Sequence, residues 1–165
     1  MPTNDELELF FSRYDKDRDG KLRFAEFCDA FTPIDRNYTL LLNQRTGSRR
    51  PAGSRPEHVF SPITLLDFKE TWRTHFRVEM LAEEVRQRLS TNPIFNLKNA
   101  FEILDFGGRG EICKDDIQRL ISQRGFFISD KEADSLMQKF DKGYNEGAFT
   151  QHQFITELVP KMVRQ

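Results

Sequence analysis

The feature that most constrains the fold is an eight-residue unit that recurs four times. It reads GKLRFAEF from Gly20, SPITLLDF from Ser61, GEICKDDI from Gly110 and GAFTQHQF from Gly147. The third position is apolar in each copy (Leu22, Ile63, Ile112, Phe149), and so is the eighth (Phe27, Phe68, Ile117, Phe154). The seventh is acidic in three copies (Glu26, Asp67, Asp116) and Gln153 in the fourth. A turn residue, an isolated apolar residue and then the first turn of an amphipathic helix make a loop-to-helix junction. The isolated apolar residue sits in an extended stretch, where it can pair with its counterpart in another copy as a short β-bridge.

A helical pattern precedes each copy. Leu7, Phe10, Phe11 and Tyr14 recur at helical spacing behind a Thr3–Glu6 capping box. Ile34, Tyr38, Leu41 and Leu42 do so before the second copy. Asn92-Pro93 is expected to open the third helix, with Leu97, Phe101 and Leu104, and Ser129 with Glu132 the fourth, with Leu136, Met137 and Phe140. The expected class is all-α: four helix-loop-helix units with short β-bridges between paired loops. One such unit cannot bury its own apolar face, so four imply two paired lobes. A long helical pattern from Ser61-Pro62 to about Leu89 joins them; a break between Phe76 and Glu79 is the alternative. The expected domains are residues 1–78 and 79–165.

The sharpest chemical signal is the twelve-residue loop Asp15–Glu26. Asp15, Asp17 and Asp19 place alternate carboxylates in one turn, and Gly20 permits the bend. Lys21 offers its backbone carbonyl, and Glu26, twelfth, can bind through both oxygens. Hard oxygen donors in this number suit Ca2+, with Mg2+ a competitor. Without a cation the carboxylates repel one another. Arg23, ninth in the loop, cannot accept a ligand bond and weakens the site. The other loops have lost donors. In the second, Pro56 to Asp67, ligand positions hold Pro56, His58, Phe60 and Pro62. The third, Asp105 to Asp116, keeps Asp105 and Gly110 but has Gly107 and Arg109 where carboxylates belong. The fourth, Asp141 toward Gln153, has Gly143 and Asn145, no terminal acid and one residue too many.

These residues resemble the calmodulin, troponin C and centrin superfamily of EF-hand proteins across nearly the whole chain. The resemblance implies two EF-hand pairs and regulation or assembly through helical target segments; the lost donors depart from it and leave one expected Ca2+ site and three structural hands. The chain has only four Met, whereas adaptable target grooves are often Met-rich. The segment FCDAFTPIDRNYTLLLNQR, from Phe27, is similar to segments of divergent EF-hand proteins in ciliary and flagellar axonemes. That points to a protein partner, a helical target or a microtubule-associated complex, in the cytoplasm or an axoneme.

Composition limits the alternatives. Net charge is −1, from 25 basic and 26 acidic side chains, so bulk charge gives no case for nucleic acid or an anionic membrane. No run nears the roughly 20 apolar residues of a membrane span. The N-terminal segment carries acids where a targeting peptide needs basic residues. Cys28 and Cys113 cannot frame a disulfide scaffold, and His58, His75 and His152 are too scattered for zinc. No nucleophile–base pair is present, so no enzymatic activity is expected. The stretch Arg45–Arg55 carries four arginines and no acid, +4 against −5 for the remainder. It reads either as a solvated Gly/Pro/Ser loop or as a dock for an acidic partner. Sixteen Phe, against one Trp and three Tyr, point to a Phe-packed helical core. Trp72, His75 and Phe76 read as core packing or as a partner-contact stripe.

Overall fold

The computed structural model describes residues 1–45, 47, 52–140 and 147–162. Eight α-helices lie among them: α1 Asn4–Tyr14, α2 Phe24–Phe31, α3 Arg36–Asn43, α4 Pro62–Thr91, α5 Leu97–Leu104, α6 Lys114–Gln123, α7 Asp130–Phe140 and α8 Gln151–Leu158. A short 3-10 turn spans Pro56–His58. Two three-residue strands, β1 Glu111–Cys113 and β2 Ala148–Thr150, pair antiparallel with Ile112 opposite Phe149. The helices form four helix-loop-helix units, as the repeats require. The chain divides into two compact units, Met1–Glu84 with the chain end from Lys161, and Val85–Pro160.

Local chemistry sets most helix ends. Thr3 and Glu6 cap α1 reciprocally, at 2.7 and 3.2 Å. Ser129 and Glu132 do the same ahead of α7, at 2.8 and 3.3 Å. Ser61 accepts from the Thr64 amide at 3.2 Å with Pro62 as the first helical residue of α4. α5 departs from expectation. Asn92 closes a turn by accepting from the Ile94 amide, and Asn96 takes the cap by accepting from Asn99, so the helix starts at Leu97. α4 continues through Phe76–Glu79 without a break.

In the N-terminal unit the core is aromatic. Phe10, Ala30 and Phe76 are buried, with Leu7, Phe11, Tyr14, Leu22, Phe31 and Trp72 packed against them. Trp72, His75 and Phe76 therefore belong to the core. Arg13 pairs with buried Glu79. The Glu83 carboxylate, also buried, accepts from the backbone amides of Lys161 and Met162 at 2.9–3.0 Å. α3 adopts the expected helix but buries no residue: Tyr38, Leu40, Leu41 and Leu42 face solvent. The first two loops also form no β-bridge among the described residues. Ile63, expected opposite Leu22, lies instead in the first turn of α4, exposed. Helix α4 thus begins midway through the second twelve-residue stretch and leaves no ligand loop there.

The C-terminal unit is more complete. Phe101, Ile112, Ile117, Met137, Phe149 and Phe154 form its buried core, lined by Leu97, Leu104, Leu136, Phe140 and Leu158. Arg86 is buried and bonds both the backbone oxygen of Glu157 at 2.7 Å and its carboxylate at 2.9 Å.

Candidate metal centre in the first loop

The first loop connects α1 to α2. Arg18 at φ +58° and Gly20 at φ +77° turn the backbone sharply enough for alternate side chains to converge. Asp15, Asp17 and Asp19 each offer a carboxylate oxygen, and these oxygens all lie within 4.8 Å of one another. Asp15 is buried; Asp17 and Asp19 are exposed. Loop amides point at the same carboxylates. Asp15 accepts from Asp19 at 3.2 Å and from Gly20 at 2.8 Å, Asp17 from Asp19 at 3.2 Å, and Asp19 from Lys21 at 2.9 Å. Donors of this kind fit a hard divalent cation and no soft metal.

Two sequence-designated residues take further roles. Glu26 is buried at the start of α2. One of its oxygens accepts from the Lys16 amide at 2.7 Å, the other from Arg23 at 2.9 Å. It therefore ties the two ends of the loop and caps α2, apart from the three-aspartate group. Arg23 lays its guanidinium on Asp19 at 2.9 Å and Asp17 at 3.4 Å. The bond to Asp19 and the charge of Asp17 raise the Arg23 pKa above its ordinary value. The sequence marked Arg23 as unable to ligate; the structure makes it a tethered cation on two candidate ligands. Lys16 pairs outside the cluster with Asp29.

The twelfth-position cap recurs, which sequence reading missed. Asp116 accepts from the Cys113 amide at 2.9 Å, and Gln153 from the Thr150 amide at 2.7 Å. In the first, third and fourth copies the seventh position of the eight-residue unit is thus the third residue of a helix, where an acceptor satisfies the cap amide; in the second, Asp67 lies deeper in α4. The signal was the invariable presence of a carboxyl or amide there, read only as ligation.

In the third loop, Asp105 accepts from the amides of Arg109 at 3.0 Å and Gly110 at 2.7 Å. Desolvation acts to raise the Asp105 pKa, but these bonds and the Arg109 charge outweigh it and hold it low. Arg109 donates to Asp116 at 2.7 Å and contacts the Cys113 sulfur at 3.1 Å. In the fourth loop, Asp141, Gly143 and Asn145 lie outside the described residues; so do most of the basic stretch's residues between 46 and 51. Among the described residues, the three-aspartate group is the one cluster with metal-ligand spacing.

Residues 94–147 match the family model described as an EF-hand domain pair. That stretch of the chain is an EF-hand pair in kind. The matched stretch carries the third hand, α5 to α6, and the α7 helix of the fourth. The acidic group lies outside the matched stretch, in the first loop, where the repeat places a loop of the same kind. No curated protein matches the chain. A solved chain described as "Chaetomium theromophilum TREX2 CID domain complex" is 21% identical, over 98% of this chain and 92% of that chain, with a TM-score of 0.38. The two superpose too loosely for the likeness to bear on fold or function. No described helix is long and apolar enough to cross a membrane.

Proposed function

We propose that this EF-hand protein is a non-enzymatic adaptor that holds one Ca2+ in its first loop and docks on a protein partner. The observation that carries the reading is the convergence of Asp15, Asp17 and Asp19 within 4.8 Å, on a loop whose twelfth residue is Glu26. Asp15, Asp17 and Asp19, the Lys21 carbonyl and Glu26 would hold the ion. Bound there, Ca2+ supplies the positive charge that offsets the carboxylates and fixes the loop. The residues' own part is to present oxygens on a bend fixed by Arg18 and Gly20, and to anchor that bend to α1 and α2.

Docking is supported by apolar surface left without cover. Tyr38, Leu40, Leu41 and Leu42 on α3 are exposed. In the C-terminal unit an apolar cleft of about 400 Å³ is lined by Leu89, Phe95, Leu97, Ile155, Leu158 and Pro160. Clefts of this character suit the apolar face of a helical segment. The pairing into lobes at residues 1–78 and 79–165, and membership of an axonemal microtubule assembly in the cytoplasm or cilium, belong to the same proposal; the axonemal part rests on the segment from Phe27 to Arg45.

A second reading, a Ca2+ sensor, is favoured by one observation. Glu26 is engaged by two amides and Arg23 covers two aspartates, so ion binding requires both to rearrange. Calorimetric titration with Ca2+ in millimolar Mg2+, on wild type and Glu26→Gln, tests the site. One site in wild type and its loss in the variant supports the assignment; a folded wild type that binds nothing overturns it. A large Ca2+-dependent rise in hydrophobic-dye fluorescence would select the sensor, and copurification with a partner in chelator the adaptor.

A further inference from the structure

We propose that the guanidinium of Arg109 is the resident cation of the third loop, replacing a metal ion that its residues no longer fit. Three observations carry this. First, Asp116 at the loop's end is buried, and a buried carboxylate needs a compensating charge. Arg109 supplies it at 2.7 Å, on the oxygen that also accepts from the Cys113 amide at 2.9 Å. Second, Asp116 is one methylene shorter than Glu26. Glu26 spans its loop to reach Lys16 as well as Arg23, whereas Asp116 accepts from Cys113 and from Arg109, which reaches back toward it. Third, the space for that arginine is made by Gly107. A Cβ on Gly107 would stand 2.6 Å from Arg109 Nη1 and 2.9 Å from Cζ. A side chain at the loop's third position and the guanidinium compete for one place. Glycine at the third position and arginine at the fifth, two apparent losses, are therefore one complementary substitution. The loop keeps its closed shape and its β-bridge with no dependence on free Ca2+, and the inference holds whether or not the first loop binds an ion.

The test uses the full chain carrying Glu26→Gln, which separates the third loop from any ion in the first. Amide hydrogen exchange of Gly110 and Cys113 is the readout. In this parent, millimolar Ca2+ is expected to leave both amides unchanged. Arg109→Gln is expected to speed their exchange roughly five- to tenfold in chelator. Gly107→Ala, at a backbone conformation any residue adopts, should do so more weakly by displacing the guanidinium. Arg109→Asp, which restores a carboxylate at the fifth position, should make protection depend on millimolar Ca2+. Unchanged exchange in Arg109→Gln, or Ca2+-induced protection in the parent, would overturn the proposal. Should Arg109→Asp fail to fold, Arg109→Gln and Gly107→Ala decide it alone.

Discussion

Ile112 and Phe149 face each other across the β1–β2 pair, and neither side chain has any solvent exposure. Each is the central, fully buried residue of an extended tripeptide whose flanking residues are half-buried. The bridge joins the third and fourth loops while its two side chains close the core beneath. Phe149→Ala is expected to cost about 3–5 kcal/mol, and Ile112→Val about 0.5–1.5 kcal/mol. Urea unfolding followed by amide exchange in the C-terminal unit measures both. Equal effects for the two would mean that the bridge, not the packing, dominates.

Arg86 is the most deeply committed charge of the C-terminal unit. It holds the backbone oxygen and carboxylate of Glu157 from a buried position. Arg86→Met leaves Glu157 buried and without this partner, a change expected to cost about 3–5 kcal/mol. Replacing Glu157 by Gln as well should recover part of the loss, because the buried charge that Arg86 offset is then removed too. A thermal-unfolding cycle over the two single variants and the double variant checks this.

The Tyr14 hydroxyl lies 3.0 Å from Nδ1 of His75, in the aromatic core of the N-terminal unit. Burial pushes the His75 pKa below its ordinary value, against the Ala30 carbonyl and the Glu79 charge, which raise it; nearby Arg13 lowers it further. The unfolded chain therefore binds a proton more readily than the folded one, between an unfolded value of about 6.5 and the lower folded value. Stability is full above that window and falls as pH drops through it. His75→Gln should flatten this part of the curve. Urea midpoints at neutral and mildly acidic pH, read by Trp72 fluorescence, give the answer.

Glu26 has two duties that different substitutions separate. Gln153 shows that an amide oxygen suffices to cap a helix at this position. Glu26→Gln should therefore keep α2 and lose affinity for Ca2+. Glu26→Ala should lose both, with about 0.5–2 kcal/mol of stability. Circular dichroism in chelator, beside a Ca2+ titration, distinguishes the two variants.

Arg23 covers Asp17 and Asp19 and must leave for either to ligate an ion through the covered oxygens. Arg23→Thr is expected to tighten Ca2+ binding by roughly three- to tenfold, since a nearby positive charge no longer opposes it. Raising the salt concentration should narrow the gap between the proteins, because the pair is exposed and screened. Titration calorimetry at two ionic strengths measures this; equal affinities would place Arg23 outside the ion's field.

Much of this molecule follows from the sequence because its signals are local. The repeat fixed four helix-loop-helix units, the Thr3–Glu6 and Ser129–Glu132 boxes fixed where two helices start, and alternate aspartates before Gly20 fixed where carboxylates would converge. Each depends on residues within a turn or two of one another, so chain connectivity nearly determines the geometry. The tertiary structure decided what depends on distant partners or on competition for space. Asn96 outcompeted Asn92 for the α5 cap. Ile63, patterned like the other bridge residues, was taken into α4, and the apolar stripe of α3 remained uncovered. Above all, the sequence marks Arg23 and Arg109 only as lost ligands. Long, flexible cationic side chains can reach in many directions, and only the folded loops set one against Asp17 and Asp19 and the other against Asp116, in the space that Gly107 leaves open.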